Sequence, residues 1–170
     1  MKIITLVGRP NSGKTSSIKM LANEMLRMSR LSGQPMVLFN YPKQCQRSCI
    51  DQTKLSLCNG DLLQYKGDIT IKFEWKGKTI GITSFGDDVS SIKTKYEIFK
   101  DCDIFLSAAH PDDDTMKYIN LIAKGNTHIL IYRGTVKSFR LPPNKIAAKV
   151  EEACDFSTAK EMLDIIEYLL

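Results

Sequence analysis

The chain has no long apolar run. Its 170 residues contain no stretch of about eighteen apolar residues, and Arg9 and Lys14 interrupt the apolar start. A membrane-spanning helix and a secretory signal peptide are therefore both disfavoured, and we expect a cytoplasmic protein with no membrane partner. Apolar residues make up 43% and charged residues 25% of the chain, as in ordinary globular proteins. We predict a single domain over residues 1–170.

Features that mark disulfide frameworks and nucleic-acid surfaces are also scarce. The five cysteines are an odd number in a chain without secretory features, which favours reduced thiols. Cys45, Cys49 and Cys58 lie close enough to raise zinc as an alternative, but they form no CxxC pair and have no histidine nearby. The net charge is +5, yet the lysines are scattered and form no dense basic block. We find no strong nucleic-acid signal.

What the chain does contain is an eight-residue pattern, Gly8-Arg9-Pro10-Asn11-Ser12-Gly13-Lys14-Thr15. It follows an apolar run at 3–7, typical of a buried strand, and precedes residues whose spacing suits a helix. This is the pattern and the setting of a loop that binds the phosphates of a nucleotide together with Mg²⁺.

The chemistry of phosphate binding explains these residue types. Glycines at 8 and 13 let the backbone curl around phosphates, whose negative charge is met by inward N–H groups and by the start of a helix. Lys14 is expected to neutralise the β and γ phosphates and to assist catalysis, and Thr15 to coordinate Mg²⁺. The predicted nucleotide contacts of this region are Gly8, Arg9, Pro10, Asn11, Ser12, Gly13, Lys14, Thr15 and Ser16.

Strands and helices alternate along the rest of the chain. We predict strands at about 35–41, 103–109 and 129–132, and a β-hairpin from 68–75 and 79–85. Predicted helices run from Lys14 to about Gly33, over about 90–100 and 115–124, from Pro142 to Ala153, and from a capping box at Thr158 and Glu161 onward. This order predicts an α/β three-layer sandwich, with a mainly parallel sheet and one antiparallel hairpin strand.

The chain resembles the P-loop NTPase superfamily, specifically over residues 3–21 and elsewhere only in architecture. Its hairpin resembles the second and third strands of small GTPases, whose third strand ends in a magnesium-linked Asp-x-x-Gly. Here Thr83-Ser84-Phe85-Gly86 keeps the glycine and lacks the acid. The guanine-reading Asn-Lys-x-Asp is also missing, since Arg133-Gly134-Thr135-Val136 follows Tyr132. The resemblance implies a P-loop NTPase fold, with ATP or another nucleoside triphosphate, and not specifically GTP, as the ligand.

Other acids and hydroxyls are candidates to replace the missing one. Asp87 and Asp88 follow the strand directly, and we predict both as catalytic residues and Asp87 as a Mg²⁺ ligand beside Thr15. Their alternative role is to cap the next helix. Gly86 is expected to approach the γ phosphate, and Ser84 and Thr83 are the hydroxyl alternatives.

Two later strand ends carry further candidates. His110 and the acids at 112–114 follow a strand whose carboxyl end should face the same crevice. They are interpreted either as a proton-carrying group or as a helix cap. Arg133, after the last strand, is predicted to contact the base or a phosphate, with a plain surface arginine as the alternative.

These residues leave three functions open. The first is Mg²⁺-dependent hydrolysis of a nucleoside triphosphate, which would reset the loop around Gly86 as in a nucleotide switch. The second is a small-molecule or nucleotide kinase with its acceptor near Asn40, Tyr41 and Lys43, although no arginine-rich lid is recognisable. The third is a catalytically silent nucleotide-binding module that regulates or assembles with a protein partner.

Overall fold

The computed structural model describes residues 1–32, 37–40, 62–64, 67–133 and 145–170. None of the helices in these ranges is both long enough and apolar enough to cross a membrane. The described residues form six strands, four α-helices and one 3₁₀ turn at Leu62–Gln64. In chain order the elements are β1 (Lys2–Val7), α1 (Lys14–Ser32), β2 (Val37–Asn40), β3 (Thr70–Trp75), β4 (Lys78–Thr83), α2 (Val89–Phe99), β5 (Ile104–Ala109), α3 (Asp114–Ile122), β6 (Thr127–Tyr132) and α4 (Lys145–Leu169).

The strands form one sheet in the order β2-β3-β4-β5-β1-β6. β1 pairs in parallel with β5 and β6, and β4 pairs in parallel with β5. β3 is antiparallel to both of its neighbours, so five strands run one way and only β3 runs against them. The predicted mainly parallel sheet with one antiparallel hairpin strand is confirmed.

Strand direction decides which chain segments meet. The carboxyl ends of β1, β4, β5 and β6 lie at one edge of the sheet, which we call the carboxyl edge. Because β3 runs the opposite way, its amino end also lies at the carboxyl edge. Residues just before β3 therefore meet the loops that follow the other strands.

Helices cover both faces of the sheet. Along β1, Ile4 and Leu6 pack into one apolar cluster together with residues of α1 and α4. The alternate residues Ile3 and Val7 pack on the other face, in clusters that contain residues of α2 and α3. This alternation is what a strand buried on both sides requires. The predicted three-layer arrangement is thus observed.

The hairpin between β3 and β4 turns at the predicted position. Lys76 and Gly77 have φ angles of 51° and 73°, and two positive φ values in a row are the geometry that matches the twist of hairpin strands. The pairing then runs in register from Trp75 opposite Lys78 to Thr70 opposite Thr83. This register brings the segments before β3 and after β4 together.

One predicted boundary is wrong. The two helices predicted at the C-terminus, one ending at Ala153 and one capped by Thr158, are a single helix, α4, over Lys145–Leu169. Thr158 is inside it and donates its hydroxyl to the carbonyl of Cys154, four residues earlier, at 2.9 Å. This contact lets a hydroxyl residue sit within a helix. The predicted start at Pro142 lies outside the described residues.

Candidate functional site

Residues 8–15, which comprise the loop between β1 and α1 and the first two residues of α1, are called the glycine loop below. Asn11 and Gly13 have φ angles of 57° and 86°, both in the left-handed region. A side chain at position 13 would place its Cβ 2.3 Å from Oδ1 of Asp155, so only glycine fits there. The first turn of α1 carries no acidic residue, which leaves the positive end of its dipole facing the carboxyl edge.

Lys14 is folded back into this loop. Its side chain is buried, and Nζ donates to the carbonyls of Gly8 at 2.7 Å and Arg9 at 2.9 Å. Burial lowers the pKa of the Lys14 ammonium below its usual value, and the charges of Asp87, Asp113 and Asp68 partly oppose that effect. A bound anion beside this ammonium would favour its charged form.

The hydroxyl of Ser12, in the glycine loop, is also buried. Ser12 is 5% exposed, and within the described part of the chain its Oγ has no hydrogen-bond partner. Buried polar groups are nearly always hydrogen-bonded. A ligand oxygen in the adjoining cavity would satisfy this hydroxyl.

Asp68, in the segment before β3, does not itself line the cavity described below but bonds to two residues that do, Thr15 and Ser84. The Thr15 hydroxyl donates to Oδ1 of Asp68 at 3.0 Å, and the Ser84 hydroxyl donates to the same oxygen at 2.9 Å. Ser84 in turn accepts the backbone N–H of Ile69 at 2.9 Å. The carboxylate is therefore held against the first turn of α1 from two sides.

Arg133 and Asp155 close the opposite side of the loop. Their side chains are 7% and 10% exposed, and Nη2 of Arg133 donates to Oδ1 of Asp155 at 2.9 Å. The same oxygen accepts the Ser17 hydroxyl at 3.0 Å. The backbone N–H of Arg133 continues the β1–β6 pairing with a bond to Val7 at 2.7 Å. This pair ties the glycine loop to β6 and α4.

His110, directly after β5, lies over the glycine loop. Its Nδ1 is 3.1 Å from the carbonyl of Gly8 and 3.5 Å from Nζ of Lys14. Its Nε2 is 3.0 Å from Oδ1 of Asp87, whose side chain is 83% exposed. The histidine thus bridges the buried lysine and an acid that faces solvent.

These groups surround a cavity of about 550 Å³ at the carboxyl edge, a size typical of small-ligand sites. Four strand ends and α4 contribute to its wall. The residues that line it are Pro10, Asn11, Ser12, Gly13, Lys14, Thr15, Ser16, Ser84, Asp87, His110, Arg133, Glu151 and Asp155. Of the predicted site residues, those from Pro10 to Ser16, Asp87 and Arg133 are therefore brought together here.

Other predicted site residues have different positions. Gly8 and Arg9 contribute the carbonyls that hold Lys14, while Gly86 and Asp88 are not among the described residues that line the cavity. A Cβ at Gly86 would lie 2.7 Å from the backbone of Ala108, so this glycine permits close packing on β5. Asp88 caps α2.

Two acids near the site, Asp88 and Asp113, cap the starts of helices. Asp88 accepts from the Ser91 N–H at 2.8 Å and from the hydroxyls of Ser90 and Ser91, and these bonds lower the pKa of its carboxyl to about 2. Asp113 accepts from the N–H of Thr115 at 2.9 Å and caps α3. Both acids follow the helix-cap interpretation of their sequence patterns.

Several predictions lie outside the described residues. They concern Tyr41 and Lys43, Cys45, Cys49 and Cys58, and the chain from 134 to 144. Nothing is described of the side chain of Asn40 either. Cys102 and Cys154, which are described, are free thiols.

The oxygens present fit a hard divalent cation. Mg²⁺ takes oxygen ligands, usually one or two carboxylates with water and phosphate, and Thr15, Asp68 and Ser84 bring two hydroxyls and one carboxylate together. Asp87, predicted as the ligand beside Thr15, is instead bonded to His110. Among the described residues no group of three or more His, Cys, Asp and Glu side chains could hold a metal ion.

Sequence reasoning missed Asp68 and Asp155. Asp68 was open to prediction, since a hairpin places the start of its first strand beside the end of its second. No sequence pattern indicated a site role for Asp155, because the prediction placed a break between two helices at 154–157 and so left this residue outside any helix. Both acids owe their positions to contacts distant in sequence.

Comparison with protein-family models, with curated proteins and with solved structures finds no match to this chain. What the cavity binds has therefore to be inferred from its own chemistry.

Proposed function

We propose that this protein is a small P-loop NTPase, which binds a nucleoside triphosphate with Mg²⁺ in the cavity at the carboxyl edge and hydrolyses it. The observation that carries the proposal is the glycine loop itself. It joins a buried strand to a helix start, keeps a lysine ammonium and an unpartnered buried hydroxyl at the cavity wall, and matches the phosphate-binding pattern at every defined position.

Several of the lining groups have a part in this proposal. The N–H groups at the start of α1 and the Lys14 ammonium bind the phosphate oxygens, and Lys14 exchanges a carbonyl partner of the loop for a phosphate oxygen. Mg²⁺ supplies further charge neutralisation when bound. Asp87 and His110 lie together at the cavity wall, where a carboxylate and an imidazole can orient a water molecule for attack.

A pair of lysine variants tests the proposal. Lys14→Ala removes the buried ammonium at the loop, and Lys124→Ala removes an exposed lysine after α3, at the opposite edge of the sheet. We expect the unsubstituted protein and Lys124→Ala to bind a fluorescent ATP analogue with Mg²⁺ and to release phosphate from ATP. Lys14→Ala should lose about tenfold or more in affinity, since a buried charged contact to the ligand disappears.

Three outcomes separate the possibilities. Equal binding by Lys14→Ala and Lys124→Ala would place the nucleotide elsewhere and refute the proposed site. Binding that depends on Lys14, with no phosphate release, would identify a silent nucleotide-binding module. Transfer of phosphate to an added acceptor instead of water would identify a kinase.

A further inference from the structure

We propose that Asp68, before the antiparallel strand β3, is the carboxylate that holds Mg²⁺ at this site together with Thr15. The inference rests on the proposed nucleotide binding. It places the metal-binding carboxylate in the segment before β3. The sequence lacks the expected acid at the end of β4.

The two acids that follow β4 have other partners. Asp87 is directed to His110, and its side chain is 83% exposed. Asp88 bonds to Ser90 and Ser91 at the start of α2. The Thr15 hydroxyl, which a magnesium site of this kind requires, hydrogen-bonds to Asp68.

The geometry around Asp68 fits an octahedral ion. Neighbouring ligands of Mg²⁺, each about 2.0–2.1 Å from the ion, lie about 2.9 Å apart. The Thr15 hydroxyl oxygen is 3.0 Å from Oδ1 of Asp68, so these two oxygens are already spaced as adjacent ligands. For both oxygens to bind the ion, the Thr15 hydroxyl has to turn its proton away from Asp68.

Ser84 is a positioning residue in this arrangement. It is 3% exposed and is fixed by the N–H of Ile69, and it donates to Oδ1 of Asp68 at 2.9 Å. It therefore restricts the rotation of the Asp68 side chain. Ser84 directly follows β4, next to the position where an acid is absent, and it orients an acid from the segment before β3.

The surrounding charges make metal binding depend on the nucleotide. The buried Lys14 directly precedes Thr15 in α1, and the buried Lys19 lies about one turn further along the same helix. Positive charge next to the proposed ligands disfavours the binding of a lone divalent cation. A triphosphate reverses this balance, so we expect Mg²⁺ to bind with the nucleotide and only weakly without it.

The test compares three aspartate variants by their affinity for a fluorescent ATP analogue, in Mg²⁺ and in EDTA. Asp68→Asn removes the proposed ligand, Asp87→Asn removes the rival acid, and Asp101→Asn changes an exposed aspartate before β5 at the opposite edge. We expect Mg²⁺ to tighten binding by the unsubstituted protein, by Asp101→Asn and by Asp87→Asn. Asp68→Asn should lose at least about tenfold of that gain, yet bind in EDTA at least as well, since a charge near the phosphates is gone.

The EDTA measurement also shows whether Asp68→Asn is folded. A second variant, Asp68→Cys, tests ligation directly, because a thiolate prefers a soft ion. In Asp68→Cys, Cd²⁺ should therefore tighten binding of the ATP analogue more than Mg²⁺ does. The unsubstituted protein, measured in the same Cd²⁺, is the reference.

If the increase in affinity caused by Mg²⁺ persists in Asp68→Asn but disappears in Asp87→Asn, the inference is overturned and the proposed function is not. Failure of the unsubstituted protein to bind nucleotide in either buffer would overturn both.

Discussion

The buried ion pair between Arg133 and Asp155 should dominate the stability of the site. The two side chains are 7% and 10% exposed, so the change Asp155→Ala removes the carboxylate partner of a largely buried guanidinium. Removing one partner of a buried pair costs about 3–5 kcal/mol of unfolding free energy. Loss of the bond from Ser17 adds to this by about 0.5–1.5 kcal/mol.

For a chain of 170 residues, each kcal/mol corresponds to a change in Tm of about 2–4 °C. Asp155→Ala should therefore lower Tm by about 7–26 °C. The free energy of unfolding is measured by urea denaturation followed by circular dichroism, with the linear extrapolation to water.

A double-mutant cycle identifies the cause. Arg133→Met keeps the volume of the side chain and removes its charge, so the double variant Arg133→Met with Asp155→Ala should be more stable than Asp155→Ala alone. The matched control is Glu167→Ala in the same helix α4. Its partner Lys76 is 3.4 Å away and both side chains are well exposed, so the loss should be at most about 1 kcal/mol.

A loss below about 1 kcal/mol for Asp155→Ala would refute the reasoning, because such a value is typical of an exposed pair. Equal stability of Asp155→Ala and the double variant would show that the buried charge of Arg133 is not the cause of the loss.

Two further predictions concern pH. Asp88→Ala should reduce the free energy of unfolding by about 1 kcal/mol at neutral pH through loss of the α2 cap. The folded pKa of about 2 lies below the ordinary aspartate value of 3.8, so this contribution is present above about pH 4 and disappears as the pH falls through 2. A difference between the two proteins that does not change with pH would contradict it. His128 is hydrogen-bonded to Thr5 at 3.0 Å, and burial lowers its pKa. Around and below the ordinary pKa of 6.5, the unfolded chain therefore binds more protons than the folded protein, and the free energy of unfolding should fall on acidification. Between about pH 7.5 and 5.5, His128→Gln should show a smaller fall in this free energy, measured by urea denaturation. Parallel pH profiles of the two proteins would exclude His128 as the source.

Local patterns were sufficient for most elements. The apolar run at 3–7 and the alternation on both sides of Lys76 and Gly77 predicted β1 and the β3–β4 hairpin, since strand and turn preferences act over a few residues. The same local rules failed at 154–158. There Asp155 and Thr158 resemble the end of one helix and the start of another, but the carboxylate of Asp155 is buried against the glycine loop and α4 continues.

The site was predicted in part for the same reason. Residues 10–16 line the cavity as expected, because the loop and the helix that follow β1 are contiguous in sequence. Asp87 and Arg133 also reach it, because carboxyl ends of parallel strands share one edge. The partners of these groups were not predicted: Asp87 bonds to His110, 23 residues away, and Thr15 bonds to Asp68, 53 residues away.

The amino-acid sequence by itself determined a glycine loop between a strand and a helix, with a lysine and a threonine at its end, because that motif is contained in consecutive residues. Only the tertiary structure decided which acids accompany it. The reversed direction of β3 brings Asp68 to Thr15, and the packing of α4 on α1 brings Asp155 to Gly13. Both contacts follow from the order and direction of the strands and from buried apolar packing, and neither property is encoded within a short segment of the chain.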